Sequence, residues 1–309
     1  MSQLKQILNR EPVYINPYTD FGFKRLFGQE GSKELLIDFL NQMLPEHHQI
    51  DGLKFRNPEN IPDLQHERKA FFDISCISTS GEEFIVEMQK AKVKNFKDRS
   101  LFYTTYPIRR QAKRGKWDFE LKPVYFIAIL DFEYDDYELS RKFYREVALK
   151  DQDGELFFDK LHFKYLQMPL FDKNESQLET HFDKWLYFLK NLENFDEIPN
   201  ILKEPVFEKG FEIAKLAKMK TQEFTAYERS RLAYWENEAV VDTAREEAWN
   251  EAWNKAWNEA WNKSFNEKTK NVILNCIKQG LSAEVTATIA EVPVEFVKKV
   301  MLEMESKKK

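Results

Sequence analysis

The chain has 309 residues, enough for a sizeable core and about two domains, and with 9 Gly and 11 Pro it is not a low-complexity or linker polypeptide. Its two cysteines, Cys76 and Cys276, stand 200 positions apart, which excludes a disulfide scaffold and a structural zinc cluster. A formal net charge of −5, taken alone, argues against a nucleic-acid partner.

The opening stretch MSQLKQILNREPVY has no apolar core of the kind a signal peptide needs, and no window approaches ~18 unbroken apolar residues. A cytoplasmic protein with no membrane partner is therefore expected. Thr19 to Gly28 sets four large apolar residues in a short polar frame. Leu35, Leu36, Phe39, Leu40 and Met43 then recur at helical spacing, so a helix is expected from about Ser32, a candidate N-cap, to Leu44, with Pro45 as its stop. Residues 70–91 read as a β-hairpin of two strands rich in Phe, Ile and Val around Thr79-Ser80-Gly81. A three-residue loop ending in Gly suits a type I turn followed by a left-handed Gly bulge. That loop pairs Ser78 with Glu82, so opposite residues sum to 160 and Asp73 lies across from Glu87, on the same face. A loop one residue longer or shorter would separate the two carboxylates.

A helix is expected over about 98–114, and Val124 to Leu130 reads as a centrally buried strand because it is apolar throughout. A further strand pair is expected near 146–149 and 162–168, and from Leu178 onward nearly everything reads as helix. The order α, ββ, α, β and then helices indicates an α/β core with an all-α extension. Within the extension, Glu247-Ala248-Trp249-Asn250 repeats as Glu251, Lys255, Glu259 and Lys263 each open another four-residue unit. A period of four on a helix advances ~400° per step, so Trp249, Trp253, Trp257, Trp261 and Phe265 wind slowly around one side. So much apolar surface needs cover from a partner helix, the body of the protein or another copy. The tail reads as three short helices, with Gly280 as a stop, Ser282 as a cap and Pro293 opening the last. Their order resembles a helix-turn-helix, but Ala283, Glu284, Thr286 and Thr288 offer little to read a base edge, which favours an assembly unit.

The chemistry centres on Asp73 and Glu87, carboxylates inside otherwise apolar strands, where a charge needs a partner or a metal. Gln89 faces the same side as Glu87. Two carboxylates can hold a divalent cation while a third polar group positions an attacking water. The plain alternative is a pair of sheet-edge carboxylates answered by Lys or Arg. Between Lys90 and Lys116 stand ten basic residues against the single acid Asp98, with Tyr103, Tyr106 and Trp117 interleaved. Such a stretch beside a carboxylate pair suits a phosphate backbone. The net charge hides this: from position 201 onward basic and acidic residues number 18 each, so the deficit lies in the first 200 residues, where the basic stretch also lies.

In chain order, Asp20-Phe21-Gly22-Phe23-Lys24-Arg25-Leu26-Phe27, Phe72-Asp73-Ile74, Glu87-Met88-Gln89, and Arg99, Tyr103 and Gln111 leading to Pro123-Val124-Tyr125-Phe126-Ile127 resemble the recombination-promoting nuclease and transposase family. That family is a branch of the PD-(D/E)XK nuclease superfamily. The resemblance is good over 12–135 and looser beyond. It implies a restriction-endonuclease-like mixed β-sheet core flanked by helices, ahead of the all-α extension with its long Trp-striped helix. It further implies a Mg²⁺-dependent, or other divalent-cation-dependent, endodeoxyribonuclease linked to recombination or mobile elements. Asp73 and Glu87 match the metal-binding acids, and Gln89 stands where the superfamily usually has Lys. Gln can orient a water but supplies no positive charge.

Asp20, Lys24 and Glu34 are secondary candidates, Glu34 as a further acid from the first helix and Asp20 with a capping role as its alternative. Lys90, Lys92, Lys94, Lys97, Arg99, Tyr103, Arg109, Arg110, Lys113 and Arg114 are the candidate DNA-binding set. The expected division is a nuclease domain over 1–175, a helical connecting region over 176–244, and the repeat helix with its terminal unit over 245–309, through which the chain self-associates. A non-catalytic DNA-binding or regulatory protein on the same scaffold, or an adaptor acting through the Trp helix, are the other readings.

Overall fold

The computed structural model describes residues 12–56, 72–112, 118–133, 141–264 and 267–306. It forms two compact units that divide inside one long helix, between Ala239 and Val240.

The first unit is built on a six-stranded sheet of β1 (Leu53–Phe55), β2 (Ile74–Ser78), β3 (Glu83–Gln89), β4 (Val124–Leu130), β5 (Tyr144–Lys150) and β6 (Leu156–Gln167), in the order β1-β2-β3-β4-β6-β5. The neighbours β3, β4 and β6 run parallel, and the other pairings are antiparallel. With strands on both sides and helices over both faces, β4 is buried along its whole length, which is why its sequence does not alternate. The β2–β3 hairpin takes the expected register: Ile74 pairs with Val86, Cys76 with Phe84 and Ile77 with Glu83. Its loop closes as the composition predicts, with the Ser78 N–H donating to the Glu82 carbonyl at 2.9 Å and Gly81 at φ +102°, open to glycine at no steric cost.

Helix α3 follows α1 (Asp20–Phe27) and α2 (Lys33–Asn41), runs from Phe96 to Arg110, and is the crossover joining parallel β3 to β4. It begins two residues before the expected start and covers one sheet face, where Phe96 and Tyr106 pack with Ile85, Phe126, Ala128 and Tyr165. Helices α1, α2, α4 (His181–Asn191) and α5 (Pro205–Ala214) cover the other face, over Phe84, Val86, Tyr125, Ile127 and Ile129. Ser32 does not cap α2 with its side chain; its hydroxyl donates instead to the Gln29 carbonyl at 3.2 Å, in a short 3₁₀ turn that leads into the helix. Trp185 of α4 is completely buried against Phe27, Phe39 and Phe207, at ring separations of 5.8, 5.6 and 5.0 Å, and its Nε1–H donates to Asp38 at 2.6 Å. Helices from the 176–239 segment thus share one core with the sheet.

The Phe-rich segment is α1, capped by Thr19, whose Oγ1 accepts from the Gly22 N–H at 3.0 Å. Gly22 is required for space: a Cβ there would stand 2.1 Å from the Asn16 carbonyl oxygen. Gly22→Ala is expected to cost about 3 kcal/mol or more, because the clash is with backbone that cannot swing away. A denaturation midpoint unchanged from wild type would contradict it.

Helix α6 (Thr221–Ser264) begins in the first unit, where Tyr227 is fully buried and its hydroxyl accepts from the Asn16 N–H at 2.9 Å. In the second unit, α6 continues with Trp249, Trp253 and Trp257 stacked at 6.5 and 6.3 Å. Three helices complete the unit: α7 (Glu267–Lys278), α8 (Ala283–Ala290), capped by Ser282 as expected, and α9 (Val294–Ser306). Trp257 packs on Phe296 of α9 at 5.3 Å, whereas Trp249 and Trp253 are 69% and 57% exposed. Phe265 and the side chain of Trp261 lie outside the described residues. Among the described residues no helix is long and apolar enough to cross a membrane.

Candidate active site

The acids meet at the end of the β2–β3 hairpin. Asp73, just ahead of β2, accepts the Met88 N–H on Oδ2 at 2.8 Å, while its own N–H donates to Glu87 Oε1 at 3.2 Å. Register explains this reciprocal exchange, since the two residues sit opposite each other if the observed pairing is extended by one step. Glu87 is 3% exposed. Strand alternation turns Glu83, Ile85 and Glu87 toward α3, and α3 answers both acids. Arg99 places Nη2 3.4 Å from Glu87 Oε2, and three turns later Arg110 pairs with Glu83. Eleven helical residues rise ~16 Å and four strand residues ~13 Å, so the two ladders nearly match. Arg99 is held in turn by Tyr103, whose hydroxyl accepts from Nε at 2.9 Å and whose ring centroid lies 5.0 Å from the guanidinium.

Burial dominates the electrostatics. It pushes Glu87 up to about 8, the charge of Asp73 adds to the rise, and Arg99 opposes it. Asp73 is also raised, by burial first, while the Met88 N–H, Lys24 and Lys90 pull the other way against Asp20. Burial lowers Lys90, which Asp20 and Asp73 counteract. Asp73 lines a cavity of about 380 Å³ together with Asp20, Gln89, Lys90 and Asn237 among others, and Glu87 lies buried behind it.

The remaining candidates divide by position. Asp20 does not cap α1, a place Thr19 takes; it forms an exposed pair with Lys24 at 2.8 Å and joins the cavity lining. Glu34 is exposed and pairs with Lys209 of α5. Arg110 faces the sheet and is committed to Glu83, which Arg56 also approaches at 3.7 Å. Lys92, Lys94, Lys97 and Arg109 are exposed, and Lys113 and Arg114 lie outside the described residues.

Asp131, Tyr234 and Asn237 went unnoticed in the sequence. The Asp131 N–H donates to the Gln89 carbonyl at 2.9 Å, which places the end of β4 beside the end of β3. The Tyr234 hydroxyl donates to Asp131 at 2.8 Å and lies 3.1 Å from Glu238. The seven-residue spacing of Tyr227 and Tyr234 on α6, with Ser230 between them bonded to the Phe21 N–H at 3.0 Å, was the available signal for a docked helix face.

Two desolvated, mutually repelling carboxylates are hard oxygen donors that call for a cation. Among the described residues no set of three or more His, Cys, Asp and Glu is placed to hold a metal. The family described as PD-(D/E)XK nuclease family transposase matches residues 17–244. The chain belongs to that family. No curated protein and no solved structure gives a significant match. The mixed sheet flanked by helices, with its helical C-terminal region, is the restriction-endonuclease-like fold of PD-(D/E)XK proteins, which generally use divalent cations. The family match covers α6 as far as 244 and so takes in Tyr234 and Asn237.

Proposed function

We propose that this PD-(D/E)XK protein is a Mg²⁺-dependent DNA endonuclease linked to recombination or mobile elements and acting in the cytoplasm. The interlocked Asp73 and Glu87, desolvated and only partly neutralised by Arg99, carry the reading. They would hold the ion, which when bound neutralises phosphate charge and lowers the pKa of a coordinated water. Gln89, in the same cavity, orients the attacking water through its amide oxygen. Burial of Glu87 strengthens the charge interactions that its carboxylate makes. Lys92, Lys94, Lys97 and Arg109, exposed on the approach to α3 and along it, grip the DNA backbone, while Arg99 stays on Glu87 beside the site.

Plasmid nicking tests this directly. Wild type is expected to nick supercoiled DNA with Mg²⁺ and not with EDTA, and Asp73→Asn is expected not to nick it. Equal activity of the two proteins would overturn the acid pair. Salt-sensitive DNA binding without cleavage would select the non-catalytic reading, toward which the neutral Gln89 points.

The reading includes self-association through the second unit. Trp249 and Trp253 expose more than half of their surfaces on one stacked stripe, and a second copy presents the same flat aromatic surface in return. Replacing both with Ser should reduce the particle mass in light scattering to that of a single chain. An unchanged mass would remove the interface.

A further inference from the structure

The site needs positive charge beyond its metal, because hydrolysis of a phosphodiester builds negative charge on the phosphoryl oxygens and on the leaving oxygen. Gln89 supplies none. Most nearby cations are engaged: Lys24 with Asp20 at 2.8 Å, Arg99 with Glu87 and Tyr103, and Arg110 with Glu83. Lys90 differs from them. Among the described residues it makes no ion pair or hydrogen bond, and it is the single cation lining the cavity that Asp73 and Gln89 line.

Its position is also fixed. The backbone at Gln89 is tied to Asp131 at 2.9 Å, so Lys90 leaves the sheet from a set point. Its ammonium stands 5.8 Å from the ring centroid of Tyr234, a residue only 8% exposed whose hydroxyl is anchored on Asp131 and Glu238. A cation over a rigid ring is held without being neutralised. That combination preorganises a charge for a phosphate while leaving its N–H donors available.

We infer that Lys90 is a catalytic residue of the nuclease, its ammonium contacting the scissile phosphate and countering the charge that develops as the bond breaks, with Tyr234 as the positioning residue that aims it. The inference rests on the endonuclease reading above. In the step it serves, a water oxygen bonds to phosphorus, the bond from phosphorus to the leaving oxygen breaks, the attacking water gives up a proton to solvent, and the leaving oxygen takes one from solvent. Lys90 keeps its own proton throughout. Lys90 therefore acts on the rate of the bond-breaking step rather than on the grip of the backbone.

The test compares single-turnover cleavage of a fluorescent duplex in Mg²⁺ with the affinity for the same duplex in EDTA, by anisotropy. Lys90→Gln should slow cleavage by ~10²–10³-fold, with affinity changed by less than about threefold and an unchanged melting temperature, since removing one phosphate contact among many costs little binding. Lys90→Arg should recover at least about tenfold of the loss, because it restores charge without restoring the geometry. Tyr234→Leu should slow wild type but add nothing in the Lys90→Gln background, a coupling that a merely structural tyrosine would not show. If Lys90→Gln cleaves at the wild-type rate while Asp73→Asn is inactive, the inference fails and the endonuclease reading stands. A rate loss matched by an equal loss of affinity also overturns it, leaving Lys90 as a backbone contact. A wild type that does not cleave overturns both.

Discussion

Asp73→Asn is expected to reduce Mg²⁺-supported nicking by ~10³-fold or more, equivalent to about 4 kcal/mol of transition-state stabilisation. The substitution is nearly isosteric, and its amide oxygen can still accept the Met88 N–H that Asp73 Oδ2 accepts at 2.8 Å, so the hairpin keeps its register. What disappears is one of two negative charges on which the cation depends. Glu87→Gln should act similarly, with the difference that Arg99, now 3.4 Å from Glu87, loses its counter-charge. DNA affinity in EDTA supplies the control on sign. Removing an acid from a site that receives phosphate should leave binding unchanged or tighten it, so a variant that loses binding along with cleavage has been disrupted rather than disarmed. A nicking rate for Asp73→Asn within tenfold of wild type would rule out the assigned role.

The second large effect concerns stability. Glu87 is pushed up to about 8 in the folded protein by burial and by Asp73, from an ordinary value of 4.5. Between those values the folded state retains a proton that the unfolded chain has released, so stability without metal falls as pH rises from about 4.5 to about 8 and levels off above. At ~1.4 kcal/mol for each pKa unit, and with the proton shared across a coupled pair, the loss is on the order of 2–4 kcal/mol. Glu87→Gln removes the ionisation. In EDTA the variant should match wild type at pH 5 and melt several degrees higher at pH 8.5, a gap read from circular dichroism melts at both pH values. Adding Mg²⁺ should stabilise wild type at high pH and barely affect the variant, because only the native acid pair binds the ion strongly. Parallel melting curves for the two proteins across this range would show that Glu87 ionises freely in the fold.

Both effects come from one arrangement, in which two carboxylates are placed where neither ionises easily. On the proposed endonuclease reading, these groups are held for a cation at the expense of stability when the cation is absent. The ion pairs from α3 moderate that cost without abolishing it, since Arg99 faces only one of the four carboxylate oxygens.

The acid pair was legible in the sequence because a hairpin register is local. Strands alternate with a period of two, and a three-residue loop ending in Gly81 admits one pairing, so Asp73 and Glu87 could be set opposite each other by counting. The burial of β4 was equally plain from seven consecutive apolar residues. The commitment of Arg110 to Glu83 was not, because a run of basic residues does not show which of them a helix turns toward its own sheet. Nor could Glu34 be placed: its helix was foreseen, but its partner Lys209 belongs to an element far along the chain.

The sequence by itself therefore determined the order of elements, the hairpin register and the meeting of Asp73 with Glu87, all set by periodicity, turn geometry and composition within a few tens of residues. Tertiary structure alone decided which cations the fold neutralises and which it leaves facing the cavity. It also brought Tyr234 to Asp131, 103 positions away, to brace Lys90. Contacts at such separation arise from packing a helix face against the sheet and the first helix, and no local pattern encodes which residues will meet.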